Sequence, residues 1–172
     1  QTITPGSFAF NHVTIAGDGQ FSTQTISGTL AVGGNLVFTV TNYAGNKLNG
    51  GTIQAGGNIT MADSGFGSQS SGPGTATLQI VGSGDQTLDG ATTGHFPNVE
   101  VAKPSGTLHL TGTPLISGNW TWTSGALDSG SSILILACIY NSTQSITGGS
   151  VTYGHVAIRG WGQSSVQTIV GT

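Results

Sequence analysis

The feature that most constrains this chain is internal repetition. Three segments of the 172 residues line up. The first carries Gln1-Thr2-Ile3 and then Phe10-Asn11-His12-Val13-Thr14-Ile15. The second carries Gln86-Thr87-Leu88 and then Phe96-Pro97-Asn98-Val99-Glu100-Val101. The third carries Gln144-Ser145-Ile146 and then Tyr153-Gly154-His155-Val156-Ala157-Ile158. A second motif, [Gly/Ser]-Gly-Asn followed by apolar-x-apolar, is interleaved with the first. It occurs at Gly33-Gly34-Asn35, Gly56-Gly57-Asn58 and Ser117-Gly118-Asn119. Self-similarity of this kind marks repeat architectures, in which no single unit can bury its own apolar face.

The spacing supplies the period. Gln1 to Gln24, Val13 to Leu36, Leu36 to Ile59 and Gln144 to Gln167 are each 23 residues, and Val99 to Trp120 is 21. A unit of roughly 21–23 residues fits one coil of a β-solenoid, with short strands alternating with corners. The expectation is therefore an all-β fold, a single parallel β-solenoid (β-helix) domain over residues 1–172 with about 7–8 coils. Alternation at period two points Val13/Ile15, Leu36/Phe38, Ile59/Met61, Leu78/Ile80, Val99/Val101, Leu108/Leu110, Trp120/Trp122, Ile133/Ile135 and Val156/Ile158 inward.

Corners need residues that tolerate unusual backbone angles or replace a turn with a side chain. Asn35, Asn58 and Asn119 hold equivalent places and are read as corner or ladder residues, stacking as amides or bonding adjacent backbone. The Gln of each Gln-[Thr/Ser]-[Ile/Leu] segment is also placed at a corner. The Gly/Ser-rich stretch 62–73 breaks the period and reads as a surface loop. Phe66 inside it either folds back onto the solenoid or stands as an exposed contact residue.

Composition narrows function. Charged residues make up 5% of the chain, against about 25% in an ordinary soluble domain. Three scattered cations cannot form a phosphate-binding surface, which argues against nucleic acid. No apolar run approaches the roughly 18 residues of a membrane span. There is no nucleophile elbow, zinc-protease helix or phosphate loop. Asp85 and Asp89 are the only close acid pair, in a turn-like segment. An enzyme is not expected, nor a cofactor. His12 and His155 occupy matching slots too far apart in a linear stack to share a metal. Cys138, the single cysteine, sits in an apolar run and reads as a buried small hydrophobe. Asn141-Ser142-Thr143 is a glycosylation acceptor outside the repeat motif.

The stretch from Gln86 to Leu136 carries a resemblance. Phe96-Pro97-Asn98-Val99-Glu100-Val101, Gly106-Thr107-Leu108-His109-Leu110 and Ser117-Gly118-Asn119-Trp120-Thr121-Trp122-Thr123-Ser124-Gly125 resemble the strand repeats of large secreted bacterial surface proteins and adhesins. That resemblance implies a parallel β-solenoid, an extracellular or cell-surface location, and a stalk, fibre or adhesive role.

The two ends share a motif. Gln1-Thr2-Ile3 and Gln167-Thr168-Ile169 are read as end-stacking segments, without charged or helical caps. The expected role is a structural subunit of an extracellular filament, a homopolymer built head to tail. One alternative is a carbohydrate-binding adhesin, with Trp161 and Tyr43 as candidate glycan contacts. Another is an ice-binding solenoid, suggested by Thr-x-Thr pairs such as Thr23/Thr25 and Thr121/Thr123. The last is a fragment of a longer repeat adhesin.

Overall fold

The computed structural model describes residues 1–17, 21–40, 45–63, 66, 72, 74–91, 93–139, 141–162 and 164–170, the side chains of Val40 and Asp63 excepted. Among them there are strands, turns and bends but no helix. β1 (Thr2–Ile3), β2 (Ala9–Phe10) and β3 (Val13–Gly17) make the first turn. β4 (Thr23–Ile26), β5 (Thr29–Val32) and β6 (Leu36–Val40) make the second, and β7 (Lys47–Asn49), β8 (Thr52–Ala55) and β9 (Ile59–Asp63) the third. The next turns carry β10 (Thr77–Ile80) and β11 (Gln86–Gly90), then β12 (His95–Phe96) and β13 (Asn98–Gly112), then β14 (Leu115–Ile116) and β15 (Trp120–Asp128). β16 (Ile133–Cys138), β17 (Thr143–Thr147), β18 (His155–Gly160) and β19 (Val166–Val170) complete the stack.

Neighbouring named strands pair in parallel, one coil on the next. The fold is a β-solenoid of about six turns, fewer than the period alone implied. The reason lies on one side of the coil. β3, β6, β9, β11 and the second halves of β13 and β15 stack there, and no described strand follows them. β16 to β19 therefore wrap only two sides, and sequence period alone cannot separate a full coil from a partial one.

The core is a set of register-matched columns. On the side that begins with β2, Leu30, Ile53, Leu78, Val99, Trp120, Ile146 and Ile169 stack one above the next. Val32, Ala55, Ile80, Val101 and Trp122 run beside them. Burying such side chains stabilises by about 1.5–3 kcal/mol each, and only stacking makes that burial possible. The Gly-Gly corners let coils approach at this spacing. A Cβ on Gly57 would collide with the backbone of Gly34 directly beneath it.

Two inward assignments change. In β16 the residues facing the main core are Leu134 and Leu136, not Ile133 and Ile135. Ile135 and Ala137 join Leu115 in a small second cluster, and Ile133 is 44% exposed. The run Ile133 to Cys138 is apolar on both faces, so alternation carries no information there. Phe66 is fully buried and is not an exposed contact. Its ring meets Phe38 edge-on at 6.0 Å, Phe96 meets Phe38 the same way, and its carbonyl accepts from His95 N. The rest of the 62–73 stretch, apart from Ala62, Gly72 and the backbone of Asp63, lies outside the described residues.

Candidate functional site

The two interleaved sequence motifs meet across coils. Gln86 Nε2 donates to Ala55 O at 3.1 Å and Gly57 O at 2.6 Å, while Asn58 Oδ1 accepts from Thr87 N at 2.9 Å. The arrangement recurs three turns on, at a different corner of the coil. Gln144 Nε2 donates to Ile116 O at 3.0 Å and Gly118 O at 2.7 Å, and Asn119 Oδ1 accepts from Ser145 N at 2.8 Å. The Asn58 and Asn119 corners are thus each roofed by a Gln-[Thr/Ser]-[Ile/Leu] segment, whereas the Asn35 corner lies under the Gly56-Gly57-Asn58 corner. The Gln is inside, 1% exposed in both cases, because buried corner carbonyls need a donor. Asn35 N donates to His12 Nδ1 at 3.0 Å, as Asn119 N does to Asn98 Oδ1 at 2.9 Å, so His12 and Asn98 do the same work. His155 instead sits in β18 opposite Ile133.

The Gln motifs do not mark one side of the coil. Gln24 lies in the sheet of β1, β4 and β7, Gln86 in β11 beside β9, and Gln144 and Gln167 in β17 and β19. A further corner is plugged by Lys103, which sequence reading passed over. Its Nζ donates to Gly82 O, Gly84 O and Gln86 Oε1 at 2.7, 2.8 and 2.7 Å. Burial pulls its pKa down, and the nearby Asp85 charge partly opposes this.

Polar groups gather at one lateral patch. His109 Nδ1 lies 3.0 Å from Asp128 Oδ2, and Asp89 Oδ1 accepts from Thr111 Oγ1 at 2.7 Å. Asp128 is held below the usual carboxylate range by the Gly130 backbone N–H, and then by His109. Asp85 Oδ1 accepts from Thr107 N at 2.8 Å. These acids tie adjacent coils together on an exposed face. Among the described residues no three His, Cys, Asp or Glu side chains cluster for a metal. His95 is buried, with Nδ1 2.6 Å from Ser117 Oγ and its ring 5.5 Å from that of Trp161. Burial pushes its pKa down to about 4.

The other candidate contacts scatter. Trp161 is half-buried against His95 and the Leu115–Ile135–Ala137 cluster. Tyr43 lies outside the described residues. Thr23/Thr25 fall in β4 and Thr121/Thr123 in β15, on different sides of the coil. A lateral groove of about 420 Å³ is lined by Lys47, Asn49, Thr75, Asn98, Asn119 and Thr143, among others. Two of its amides already serve backbone: Asn49 Oδ1 accepts from Thr75 N, and Asn98 bonds Thr75, Ala76 and Asn119.

Most of the exposed large apolar side chains lie toward the two ends. On the first turn Phe8, Phe10 and Phe21 are 73%, 41% and 70% exposed. On the last coils Val156, Ile158, Val166, Ile169 and Val170 are exposed. Beneath them Tyr153 roofs Trp120 and Trp122 where the third side has no further strand, its hydroxyl accepting from Trp120 Nε1 at 2.9 Å and donating to Gly148 O at 2.9 Å. An apolar pocket of about 180 Å³ opens beside it, walled by Ile146, Val156, Ile158 and Ile169. Sequence reading named the end segments and listed Phe10 and Tyr153 as motif aromatics without a role at the ends, and it passed over Phe8. Phe8-Ala9-Phe10 alternates like any core strand, and alternation does not say whether a coil lies beyond it.

Comparison with family models, with curated proteins and with solved structures returned no match.

Proposed function

We propose that this chain is an extracellular structural protein, a subunit of a surface filament or stalk that assembles by end-to-end stacking of β-solenoids. The observation that supports this reading is the apolar surface on the first and last described coils. Both expose apolar side chains, and both present strand edges, β1 to β3 at one end and β18 and β19 at the other. Natural solenoids cover such edges with a cap, with further coils or with a partner, because open edges template association. The sparse charge, 5% of residues, lowers repulsion between packed subunits. The resemblance of Gln86 to Leu136 to secreted surface-protein repeats points the same way.

Negative-stain microscopy of the purified chain over a concentration series tests the reading. Rods one solenoid wide that lengthen with concentration are the expected result. A chain that stays monomeric up to its solubility limit would sink it.

A further inference from the structure

We propose that the two ends are the halves of one joint. A second copy of this chain sets Phe8 and Phe10 on the Ile169 end, coaxially and without rotation about the axis, adding its β2 to the edge of β19. This rests on the filament reading above and names the contacts that would carry it.

The stacking already inside the chain fixes the geometry. Leu30, Ile53, Leu78, Val99, Trp120, Ile146 and Ile169 form one uninterrupted column. Phe10 pairs in register with Val32, so Phe8, two residues earlier, falls in the column of Leu30. On that register the exposed Phe8 lies before Leu30, and the exposed Ile169 lies after Ile146. A second copy translated along the axis puts Phe8 where the next column member belongs. The receiving surface suits it. The pocket between Trp120, Ile146, Tyr153, Val156, Ile158 and Ile169 measures about 180 Å³. An apolar cavity of about 150 Å³ accepts benzene, so a phenyl ring fits. None of Phe8, Phe10, Val166, Ile169 and Val170 carries charge, and the contact repeats the parallel coil-on-coil interface the chain makes throughout.

The alternative joint, Gln1-Thr2-Ile3 seated on Gln167-Thr168-Ile169, fits less well. β1 belongs to the sheet of β4 and β7, whereas β19 belongs to that of β15 and β17. The matching motifs meet only if each copy rotates by one side of the coil, which takes Phe8 out of the Ile169 column. A translated joint is heterologous, so it propagates instead of closing.

The experiment uses two variants, Phe8→Glu and Ile169→Glu, each spoiling one half of the joint. Both sites are mostly exposed, so each variant is expected to keep the wild-type circular dichroism spectrum and melting temperature. In analytical ultracentrifugation the wild type is expected to show a ladder of species, and each variant alone a monomer. An equimolar mixture is expected to give a heterodimer and nothing larger, because one intact half of each kind remains. A mixture that stays monomeric overturns the joint, as does assembly that survives in either variant alone. Assembly surviving in both variants spares the filament reading, while a monomeric wild type removes both. Should a charged variant lose its fold, Phe8→Ser and Ile169→Ser serve in the same mixing design.

Discussion

Lys103 Nζ sits 2.7 Å from Gln86 Oε1, and the same ammonium bonds the carbonyls of Gly82 and Gly84 in the coil beneath. A fully buried lysine thus satisfies three acceptors at a corner where other coils use glutamine. Replacing it with an apolar side chain of similar length takes the donor from the Gly82 and Gly84 carbonyls, while Gln86 Oε1 keeps the Gly82 N–H. Lys103→Met is expected to lower stability by about 2–3 kcal/mol, since an unmade hydrogen bond at a buried group costs its full desolvation. Urea unfolding reads this directly. A loss under about 0.5 kcal/mol, the range of neutral surface changes, would show that water replaces the ammonium.

His95 makes stability depend on pH. Its folded pKa of about 4 lies below the ordinary histidine value of 6.5, so the unfolded chain takes up the proton first as pH falls. The contribution is complete above about pH 6.5 and is lost on the way down to about pH 4, amounting to about 3 kcal/mol. His95→Gln is expected to remove that slope while leaving the titration of the exposed acids in place. Unfolding midpoints for both proteins at pH 7 and pH 4.5 give the comparison, and parallel pH profiles would refute it.

Two glycines separate close approach from mere flexibility. A Cβ at Gly57 would strike the Gly34 backbone, whereas one at Gly84 would meet nothing within 4 Å. Gly57→Ala is expected to cost about 1–3 kcal/mol through overpacking. Gly84→Ala is expected to stay within about 0.5 kcal/mol of wild type. Equal effects at the two sites would contradict the corner-on-corner contact.

Cys138 is buried, and its thiol reaches Ser142 O at 3.1 Å. Access, not thiol chemistry, limits its reactivity. A colorimetric thiol reagent is expected to find no reactive group in the folded protein and one per chain in urea. Prompt labelling of the folded protein would mean that the β16 corner opens readily.

Gln144 offers a test of the paired-motif corner. Gln144→Leu keeps the volume but removes the donor to Ile116 O and Gly118 O and the acceptor for Gln167 Nε2. A loss of about 1–3 kcal/mol is expected, with increased amide exchange in β19. Hydrogen exchange unchanged in β19 would show that this last strand is held by its backbone ladder alone.

The amino-acid sequence by itself determined the class of fold. The 23-residue spacing, the period-two alternation around Leu36/Phe38, Ile59/Met61 and Val99/Val101, and the Gly-rich corners admit little but a parallel solenoid, because each is a local consequence of strand and turn geometry. Where those signals are ambiguous, only the stacked structure decided. Ile133 to Cys138 is apolar on both faces, so which face turned inward depended on the coils above and below. Phe66 is isolated among Gly and Ser, and its burial came from a gap beside Phe38 that no local pattern describes. The same holds for the ends. Sequence placed Gln-Thr-Ile at both, yet tertiary structure set the first on one side of the coil and the last on another, and put β2 and β19 in one sheet. Side assignment accumulates through every intervening corner, and a motif only a few residues long carries no record of that sum.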